Sequence, residues 1–335
     1  MEDNIIVQNI TEENIFEQRT NLGLLHQAVA AITGEIRKII VGQDDMIRML
    51  IAAILADGHV IIEGAPGVAK TITARLVAKS IDVKFSRIQF TPDLMPSDVL
   101  GTSIFNPNSS KFEFKRGPVF SNIVLIDEIN RAPAKTQAAL FEIMEERQVT
   151  MDGTAYIMEP PFIIIATQNP IEYEGTYRLP EAQLDRFLFK IQVPYPTLEQ
   201  EVDILNKFHQ LASESPFANI NAVLNAEQIR AIRSQVKQII IDEKLLKFIA
   251  QIVTTSRSHK SIYLGASPRA SLAVMNASKA VAAMAGRDFV TPDDIVFVCP
   301  YVLRHRILLT PEKEMEGITT NDVIKQIIQG LEIPR

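Results

Sequence analysis

The chain has 335 residues, 47% hydrophobic and 22% charged, a composition typical of globular proteins, and its length predicts about two domains. Forty acidic and 34 basic residues give a net charge of −6, which argues against a broad surface for duplex nucleic acid. The single cysteine, Cys299, excludes an intrachain disulfide and a metal site built from cysteines, and its apolar neighbours predict a buried side chain.

The first predicted elements are an arm and two helices. Residues 1–20 are polar and lack the basic start of a secretory signal. Apolar residues then recur at helical spacing from Leu22 to Ile39, and Val41 and Gly42 interrupt this pattern before a second helix. Because no apolar run approaches the length of a membrane span, we expect no span and a cytoplasmic protein.

The strand-like run 60–62 leads into the sequence Gly64-Ala65-Pro66-Gly67-Val68-Ala69-Lys70-Thr71. This sequence differs at one position from the phosphate-binding pattern G-x-x-x-x-G-K-[ST]. Backbone N–H groups in such a loop form an anion site, where Lys70 would reach the phosphates and the Thr71 hydroxyl would bind Mg²⁺. Residues from Gly64 to Ile72 are therefore candidate nucleotide contacts. The alternative is an ordinary turn that opens a helix.

Ala69 is the one departure from the pattern, since it stands where the second glycine is expected. A Cβ restricts the backbone, and we therefore expect a negative φ at this residue.

The next predicted elements are a strand at 85–90 and two hairpins. Residues 101–117 contain two short β-type pieces around a turn cluster, which predicts an inserted hairpin. A second hairpin is predicted at 148–158 around Asp152-Gly153, a strong two-residue turn signal.

Between these hairpins, four apolar residues at 123–126 are followed by Asp127 and Glu128. This pattern predicts a central parallel strand with acids at its carboxyl end, the edge where open α/β sheets bind ligands. Asp127 would hold Mg²⁺, and Glu128 would position the attacking water. The alternative is a strand that ends in two solvated acids.

Another buried strand is predicted at 162–167, and it places Asn169 on the same edge as Asp127. The Asn169 amide could orient water or contact the γ-phosphate, although an asparagine before a proline also favours a turn. Arg186 then lies in a loop before a last strand at 188–193, where a surface salt bridge is its alternative role.

The pattern changes at 194–197, and the strong segments beyond it are helical. We therefore predict an arm at 1–20, an α/β domain at 21–194 and a helical domain at 195–335. Arg269 begins one of these helices, from which it could point at phosphate.

Taken together, the motifs resemble those of the AAA+ ATPases, and more narrowly the MoxR-type ATPases, over roughly residues 20 to 330. Besides the phosphate loop, the resemblance is carried by residues 125–132, 166–170, 174–187 and 265–270. It implies a P-loop core with a five-stranded parallel sheet of order 5-1-4-3-2, and an all-α lid domain. The two hairpins would be the helix-2 insert and the pre-sensor-1 hairpin of one AAA+ branch.

The resemblance also supplies roles for individual residues. Asn169 is similar to the sensor 1 residue, and Arg186 to an arginine finger that acts on the ATP of a neighbouring subunit. Arg269 is similar to the sensor 2 arginine, and whether it acts on its own or a neighbour's nucleotide is open. Val41 and Gly42 match the segment beside the adenine.

The function that the resemblance implies is Mg²⁺-dependent ATP hydrolysis by a ring, expected to be a hexamer. Such a ring would remodel client proteins or insert a metal or cofactor into them, and the family often works with von Willebrand factor A-domain partners. Two other functions are a nucleic-acid-stimulated motor and a nucleotide-sensing scaffold with little turnover. The net charge argues against the motor, and the acid at Glu128 against the scaffold.

Overall fold

The computed structural model describes residues 22–170, 177, 179–211, 217 and 219–334. The predicted N-terminal arm and part of the 174–187 motif, including residues 174–176 and 178, lie outside the described residues.

Eleven strands, thirteen α-helices and one short 3₁₀ helix (Ile129–Arg131) are present in the described part of the chain. The strands are β1 (His59–Gly64), β2 (Phe85–Gln89), β3 (Gly101–Asn106), β4 (Lys111–Arg116), β5 (Ile123–Asp127), β6 (Gln148–Met151), β7 (Thr154–Ile157), β8 (Ile163–Gln168), β9 (Phe187–Val193), β10 (Ile262–Leu264) and β11 (Leu308–Leu309). The helices are α1 (Gly23–Arg37), α2 (Asp44–Leu55), α3 (Lys70–Ser80), α4 (Pro96–Leu100), α5 (Ala134–Glu146), α6 (Glu181–Leu184), α7 (Leu198–Leu211), α8 (Ala226–Lys237), α9 (Glu243–Ser258), α10 (Pro268–Met284), α11 (Pro292–Leu303), α12 (Pro311–Met315) and α13 (Thr320–Gln329).

The central sheet has five strands in the order β2-β5-β8-β1-β9, and every neighbouring pair is parallel. When these five strands are counted along the chain, the order is 2-3-4-1-5, which is 5-1-4-3-2 from the other edge. The predicted α/β fold and strand order are confirmed.

Both faces of the sheet are buried, as the uninterrupted apolar runs predict for parallel strands. Successive side chains point to opposite faces, so Val60 and Ile62 pack with the first three helices and with lid helices, whereas Ile61 packs on the side of α5. The sheet is therefore packed on both faces. Polar groups are left to the two edges formed by the strand ends, the carboxyl-terminal edge and the amino-terminal edge.

The two hairpins lie on the α5 side of the sheet. The β3–β4 pair joins Gly101 to Arg116, and the β6–β7 pair turns at Asp152-Gly153, both of which have positive φ. The Ser103 hydroxyl donates to the Asp152 carboxylate, which ties one hairpin to the other.

The part of the chain after β9 is mainly helical, with one short antiparallel pair between β10 and β11. Cys299 on α11 is fully buried, and burial raises the pKa of its thiol to about 12. Within the described ranges, no helix combines the length and the apolar character that crossing a bilayer requires.

Candidate active site

The phosphate loop connects the end of β1 to the start of α3. Gly64 is needed there for close packing, because a Cβ on it would lie 2.8 Å from the Val193 carbonyl oxygen of the neighbouring strand. Gly67 has φ +84°, a conformation that favours glycine. Lys70 Nζ donates to the Gly64 carbonyl oxygen at 2.5 Å, so the ammonium group lies over the loop.

Ala69 does not have the predicted negative φ. Its φ is +62° and its ψ +18°, in the left-handed region, so that prediction was wrong. The chain has to turn sharply there, since Ala69 is the residue before α3 and its carbonyl already accepts from the Thr73 backbone N–H and hydroxyl. A left-handed non-glycine residue costs about 1–2 kcal/mol, which the packing of the loop must offset.

The residues predicted to hold Mg²⁺ lie together. Thr71 Oγ1 is 3.3 and 3.4 Å from the two carboxylate oxygens of Asp127, and Thr167 Oγ1 donates to the same carboxylate at 3.1 Å. A hydroxyl and a carboxylate are oxygen ligands of the kind that Mg²⁺ takes beside phosphates. In the described ranges, no three His, Cys, Asp or Glu side chains form a metal cluster.

The end of β2 contributes two polar side chains that the sequence reading missed. Arg87 Nε is 2.6 Å from Asp127 Oδ2, and Gln89 Nε2 donates to Glu128 Oε2 at 2.8 Å. Gln89 pairs in register with Asp127 on β5. Arg87 and Gln89 could have been predicted as site residues because they are polar and lie at the carboxyl end of a strand. That prediction would have required knowing that β2 lies beside β5.

Glu128 follows β5 with φ +57°, an uncommon conformation for a non-glycine residue and one that clusters at functional sites. Its backbone N–H donates to Thr167 Oγ1 at 3.1 Å, and its carboxylate also lies 3.0 Å from Arg131 Nε. Backbone and side chain are thus both held beside Asp127. Asn169, one residue beyond β8, is buried at the same edge.

An apolar cavity of about 250 Å³ lies next to the phosphate loop. Val41 contributes to its wall, and the neighbouring Gly42 has φ +71°. An apolar wall beside a phosphate site suits the flat face of a base. The other lining residues are Ile39, Ile40, Gln43, Gly67, Val68, Ala69, Ile72, Pro196, Ile204 and Phe208.

Arg186 is not part of this cluster. It precedes β9, where Phe187 pairs with His59 at the start of β1, whereas Val193 pairs with Gly64 at the loop. Six residues of strand correspond to about 20 Å at roughly 3.3 Å per residue. Arg186 therefore lies at the amino-terminal edge of the sheet, opposite its own phosphate loop.

Arg269 lies at the same edge as Arg186, because both contact Glu145. Glu145 Oε1 is 2.7 Å from Arg269 Nη2, and its Oε2 is 3.3 Å from Arg186 Nε. Glu145 is near the end of α5, which begins after β5 and returns to the amino-terminal edge. One carboxylate, which the sequence reading also missed, holds both arginines.

A second carboxylate fixes the backbone beside these arginines. Asp185 Oδ1 accepts from Arg306 Nε at 2.7 Å, and Asp185 Oδ2 accepts from the Ser267 hydroxyl at 3.0 Å. Arg306 Nη2 also donates to the Phe187 carbonyl oxygen at 2.6 Å. Burial lowers the pKa of the Arg306 guanidinium, and the Asp185 carboxylate opposes that change. The lid thus holds the segment that carries Arg186.

Comparison with known proteins agrees with this architecture. The family model for the ATPase family associated with various cellular activities matches residues 59–189, and the AAA lid domain model matches residues 254–327. YeaC of Bacillus subtilis is 45% identical over 92% of this chain and 96% of its own length. Chaperone MoxR1 of Mycobacterium tuberculosis is 41% identical over 90% of this chain and 81% of its own.

Protein MoxR of Methylorubrum extorquens is 31% identical over 92% of this chain and 95% of its own length. A crystal structure from Cytophaga hutchinsonii, of a protein classed as an ATPase, superposes with a TM-score of 0.86 at 40% identity, covering 94% of this chain and 97% of that one. The fold and the phosphate-loop cluster define an ATPase of the AAA+ class. Within that class, the chain belongs to the MoxR family.

Proposed function

We propose that this ATPase hydrolyses ATP with Mg²⁺ at sites shared between neighbouring subunits of a ring, and uses the reaction to remodel or mature client proteins. The observation that carries the proposal is the separation of the predicted site residues between two edges of one sheet. Thr71, Asp127 and Glu128 lie at one edge, and Arg186 and Arg269 at the other. A heterologous contact that closes into a ring would bring the two edges together.

At the phosphate-loop edge, Lys70 would bind the β- and γ-phosphates and Val41-Gly42 would lie beside the adenine. Thr71 and Asp127 would hold Mg²⁺, which supplies neutralisation of phosphate charge. Glu128 would take a proton from the attacking water, held in place by Gln89. Asn169 would orient that water.

At the arginine edge, Arg186 and Arg269 would both act on the nucleotide of the next subunit. Both arginines contact Glu145, so a chain that presents one of them to a neighbour also presents the other. This supports assigning both arginines to the neighbour's nucleotide. Two guanidinium groups near a transferring phosphoryl group stabilise the charge that develops on its oxygens.

The wider setting rests on relatives and resemblance. We propose a hexameric ring in the cytoplasm, with domains divided at 194/195, and a client or von Willebrand factor A-domain partner. The name Chaperone MoxR1, carried by a relative 41% identical, supports action on other proteins.

The proposal is tested by mixing two inactive variants, Glu128→Gln and Arg186→Ala. An arginine finger contributes about 10³–10⁵ in kcat, so each variant alone should turn over slowly. In mixed rings, the Glu128→Gln subunit still supplies Arg186 to its neighbour, whose own Glu128 is intact. We therefore expect steady-state ATPase activity to reappear in the mixture.

Three results would contradict parts of this proposal. Mixtures no more active than the separate variants would refute action between subunits, as would wild-type turnover per chain that is independent of protein concentration. Full turnover by Glu128→Gln, which should instead trap bound ATP, would refute the role of Glu128.

A further inference from the structure

Arg87 occupies one oxygen of the carboxylate that is proposed to hold Mg²⁺. Its Nε lies 2.6 Å from Asp127 Oδ2, a short distance typical of a charge-assisted hydrogen bond. The other carboxylate oxygen, Oδ1, accepts from the Thr167 hydroxyl at 3.1 Å. Thr71 Oγ1 lies 3.3 Å from Oδ1 and 3.4 Å from Oδ2. The Asp127 carboxylate therefore has an arginine of this chain as its counterion.

Gln89 fixes the Arg87 guanidinium in this position. Gln89 Oε1 accepts from Arg87 Nη2 at 3.3 Å, and Gln89 Nε2 donates to Glu128 Oε2 at 2.8 Å. The Glu128 carboxylate has an arginine of its own, because Arg131 Nε lies 3.0 Å from Oε2. Both acids that follow the apolar part of β5 are thus paired with a cation, and Gln89 joins the two pairs. Arg87 is therefore part of a network with both acids rather than an isolated surface ion pair.

The two members of the Arg87–Asp127 pair differ in exposure. The Asp127 side chain is 8% exposed, whereas that of Arg87 is 54% exposed. A buried carboxylate is costly to leave without a partner, so Asp127 needs a counterion at every stage of the reaction. Because more than half of the Arg87 side chain contacts solvent, this guanidinium can leave the carboxylate at little cost once another cation takes its place.

Arg87 cannot keep its contact with Asp127 Oδ2 once that oxygen binds Mg²⁺. An oxygen ligand lies about 2.1 Å from Mg²⁺, which would put the metal within about 5 Å of Arg87 Nε. Like charges at this distance repel strongly in a partly buried site. The guanidinium and the metal are therefore alternative partners of the same oxygen.

We propose that Arg87 is the counterion of Asp127 when the chain binds nucleotide without metal, and that it leaves Oδ2 when the site takes Mg²⁺. The inference rests on the proposed function, because it needs the Mg²⁺ site at Thr71 and Asp127. By neutralising Asp127, Arg87 reduces the repulsion between this carboxylate and the phosphates of ATP. Arg87 thereby sets how strongly ATP affinity depends on Mg²⁺, since the metal adds only the neutralisation that Arg87 does not already supply.

Nucleotide affinity with and without metal tests this inference at equilibrium. The affinity for a fluorescent, non-hydrolysable ATP analogue is measured by titration in EDTA and again in saturating Mg²⁺. Arg87→Ala should weaken binding in EDTA about tenfold, the effect of about 1.4 kcal/mol, and should not weaken binding in Mg²⁺. The ratio of the affinity in Mg²⁺ to that in EDTA, which we call the magnesium gain, should therefore rise about tenfold.

Two further variants are the controls for Arg87→Ala. Arg87→Lys keeps a positive charge beside Asp127, and its magnesium gain should stay within about twofold of that of the wild type. Lys84→Ala removes an exposed cation that precedes the same strand, at the opposite edge of the sheet, and should leave the magnesium gain unchanged. A rise in either control as large as that in Arg87→Ala would overturn the counterion role.

An Asp127→Asn background separates a counterion from a direct phosphate contact. Residue 127 then carries no charge to neutralise, so Arg87→Ala should no longer weaken binding of the analogue in EDTA. If the loss of about tenfold persists in this background, Arg87 binds phosphate itself and the inference is wrong. Equal losses in EDTA and in Mg²⁺ for the single Arg87→Ala variant would lead to the same conclusion.

Failure of this inference is distinguishable from failure of the proposed Mg²⁺ site. If Asp127→Asn alone abolishes the magnesium gain but Arg87→Ala leaves it unchanged, the metal site stands and the role of Arg87 is wrong. If Asp127→Asn retains the full magnesium gain, Asp127 does not hold the metal, so the proposed site fails and the inference about Arg87 fails with it.

Discussion

The two edges of the central sheet differ in what holds their polar groups. At the carboxyl-terminal edge, Asp127 and Glu128 are fixed by neighbours from adjacent strands, Thr167 and Gln89. At the amino-terminal edge, the arginines are held through carboxylates, and lid residues hold the backbone beside them. The α/β core alone determines the positions of the polar groups at the first edge. At the second edge, those positions also depend on the position of the lid.

In the proposed mechanism, this difference separates binding from turnover. Nucleotide binding would need the phosphate-loop edge of one chain, and turnover would need the arginine edge of another. A lid that moved relative to the core would carry Arg306 and Ser267 with it, and their contacts with Asp185 would transmit that movement to Arg186. The same two contacts would also stabilise one lid position between catalytic events.

The largest expected effect on nucleotide binding and turnover contrasts one residue from each edge. Lys70→Ala should weaken ATP binding by the isolated chain about 100-fold or more, equivalent to about 2.7 kcal/mol, because it removes a cation from the phosphates. Arg269→Ala should leave that affinity intact and slow turnover in concentrated protein. Fluorescent-nucleotide titration and steady-state ATPase assays measure the two quantities.

Lys79→Ala, at an exposed lysine near the end of α3, is the matched control and should alter neither measurement. Unchanged ATP affinity in Lys70→Ala would contradict the prediction that residues 64–71 bind the phosphates of ATP. Lost affinity in Arg269→Ala would place that arginine on its own nucleotide.

The next effect concerns the stability of the arginine edge. Asp185→Asn leaves Arg306 buried without its carboxylate, and breaking a buried pair in this way costs about 3 kcal/mol or more. Glu145→Gln breaks more exposed pairs and should cost less than about 1 kcal/mol. Urea unfolding of the two variants gives the comparison, and equal losses would show that the lid contact does not hold this edge.

A smaller effect is a pH dependence that originates at the same edge. His59 is buried at the start of β1, where its Nδ1 accepts from the Ile164 N–H and its Nε2 lies 3.2 Å from the Met144 carbonyl oxygen. Burial, together with the charge of Arg147, lowers the pKa of His59 from 6.5 to about 3. The unfolded chain therefore binds a proton between pH 6.5 and 3 that the folded chain does not, so stability falls as pH decreases through this window.

Between pH 6.5 and 5 this single group should cost about 2 kcal/mol, since one pKa unit is worth about 1.4 kcal/mol. Calorimetric Tm values across this range should fall less steeply for His59→Gln than for the wild type, although the variant starts from a lower Tm. Parallel curves would show that His59 does not determine the acid sensitivity of this edge.

The sequence predicted those parts of the molecule whose structure is determined by residues close together along the chain. Apolar runs such as 123–126 predicted buried parallel strands because such strands need no alternation. The spacing from Gly64 to Thr71 predicted the phosphate loop because one short segment supplies the whole anion site. The strand order came from the family resemblance, which holds across the chain.

The missed residues have partners far away in the sequence. Arg87 is 40 residues from Asp127, and Asp185 is 121 residues from Arg306. Neither pair has a local spacing rule, and each becomes visible only once β2 lies beside β5 or the lid lies on the core. The wrong prediction at Ala69 had a different origin, because the closure of the loop outweighed the backbone preference of a residue with a Cβ.

The smallest effect returns to Ala69, at the phosphate-loop edge. Ala69→Gly should stabilise the chain by about 1 kcal/mol, because glycine adopts positive φ without the steric cost that alanine carries. The corresponding rise in Tm is about 2 °C for a chain of this size. Ala65→Gly is the matched control: Ala65 is buried in the same loop without positive φ, so losing its methyl group should lower Tm. A lower Tm in both variants would mean that packing of the Ala69 methyl group is worth more than its backbone strain.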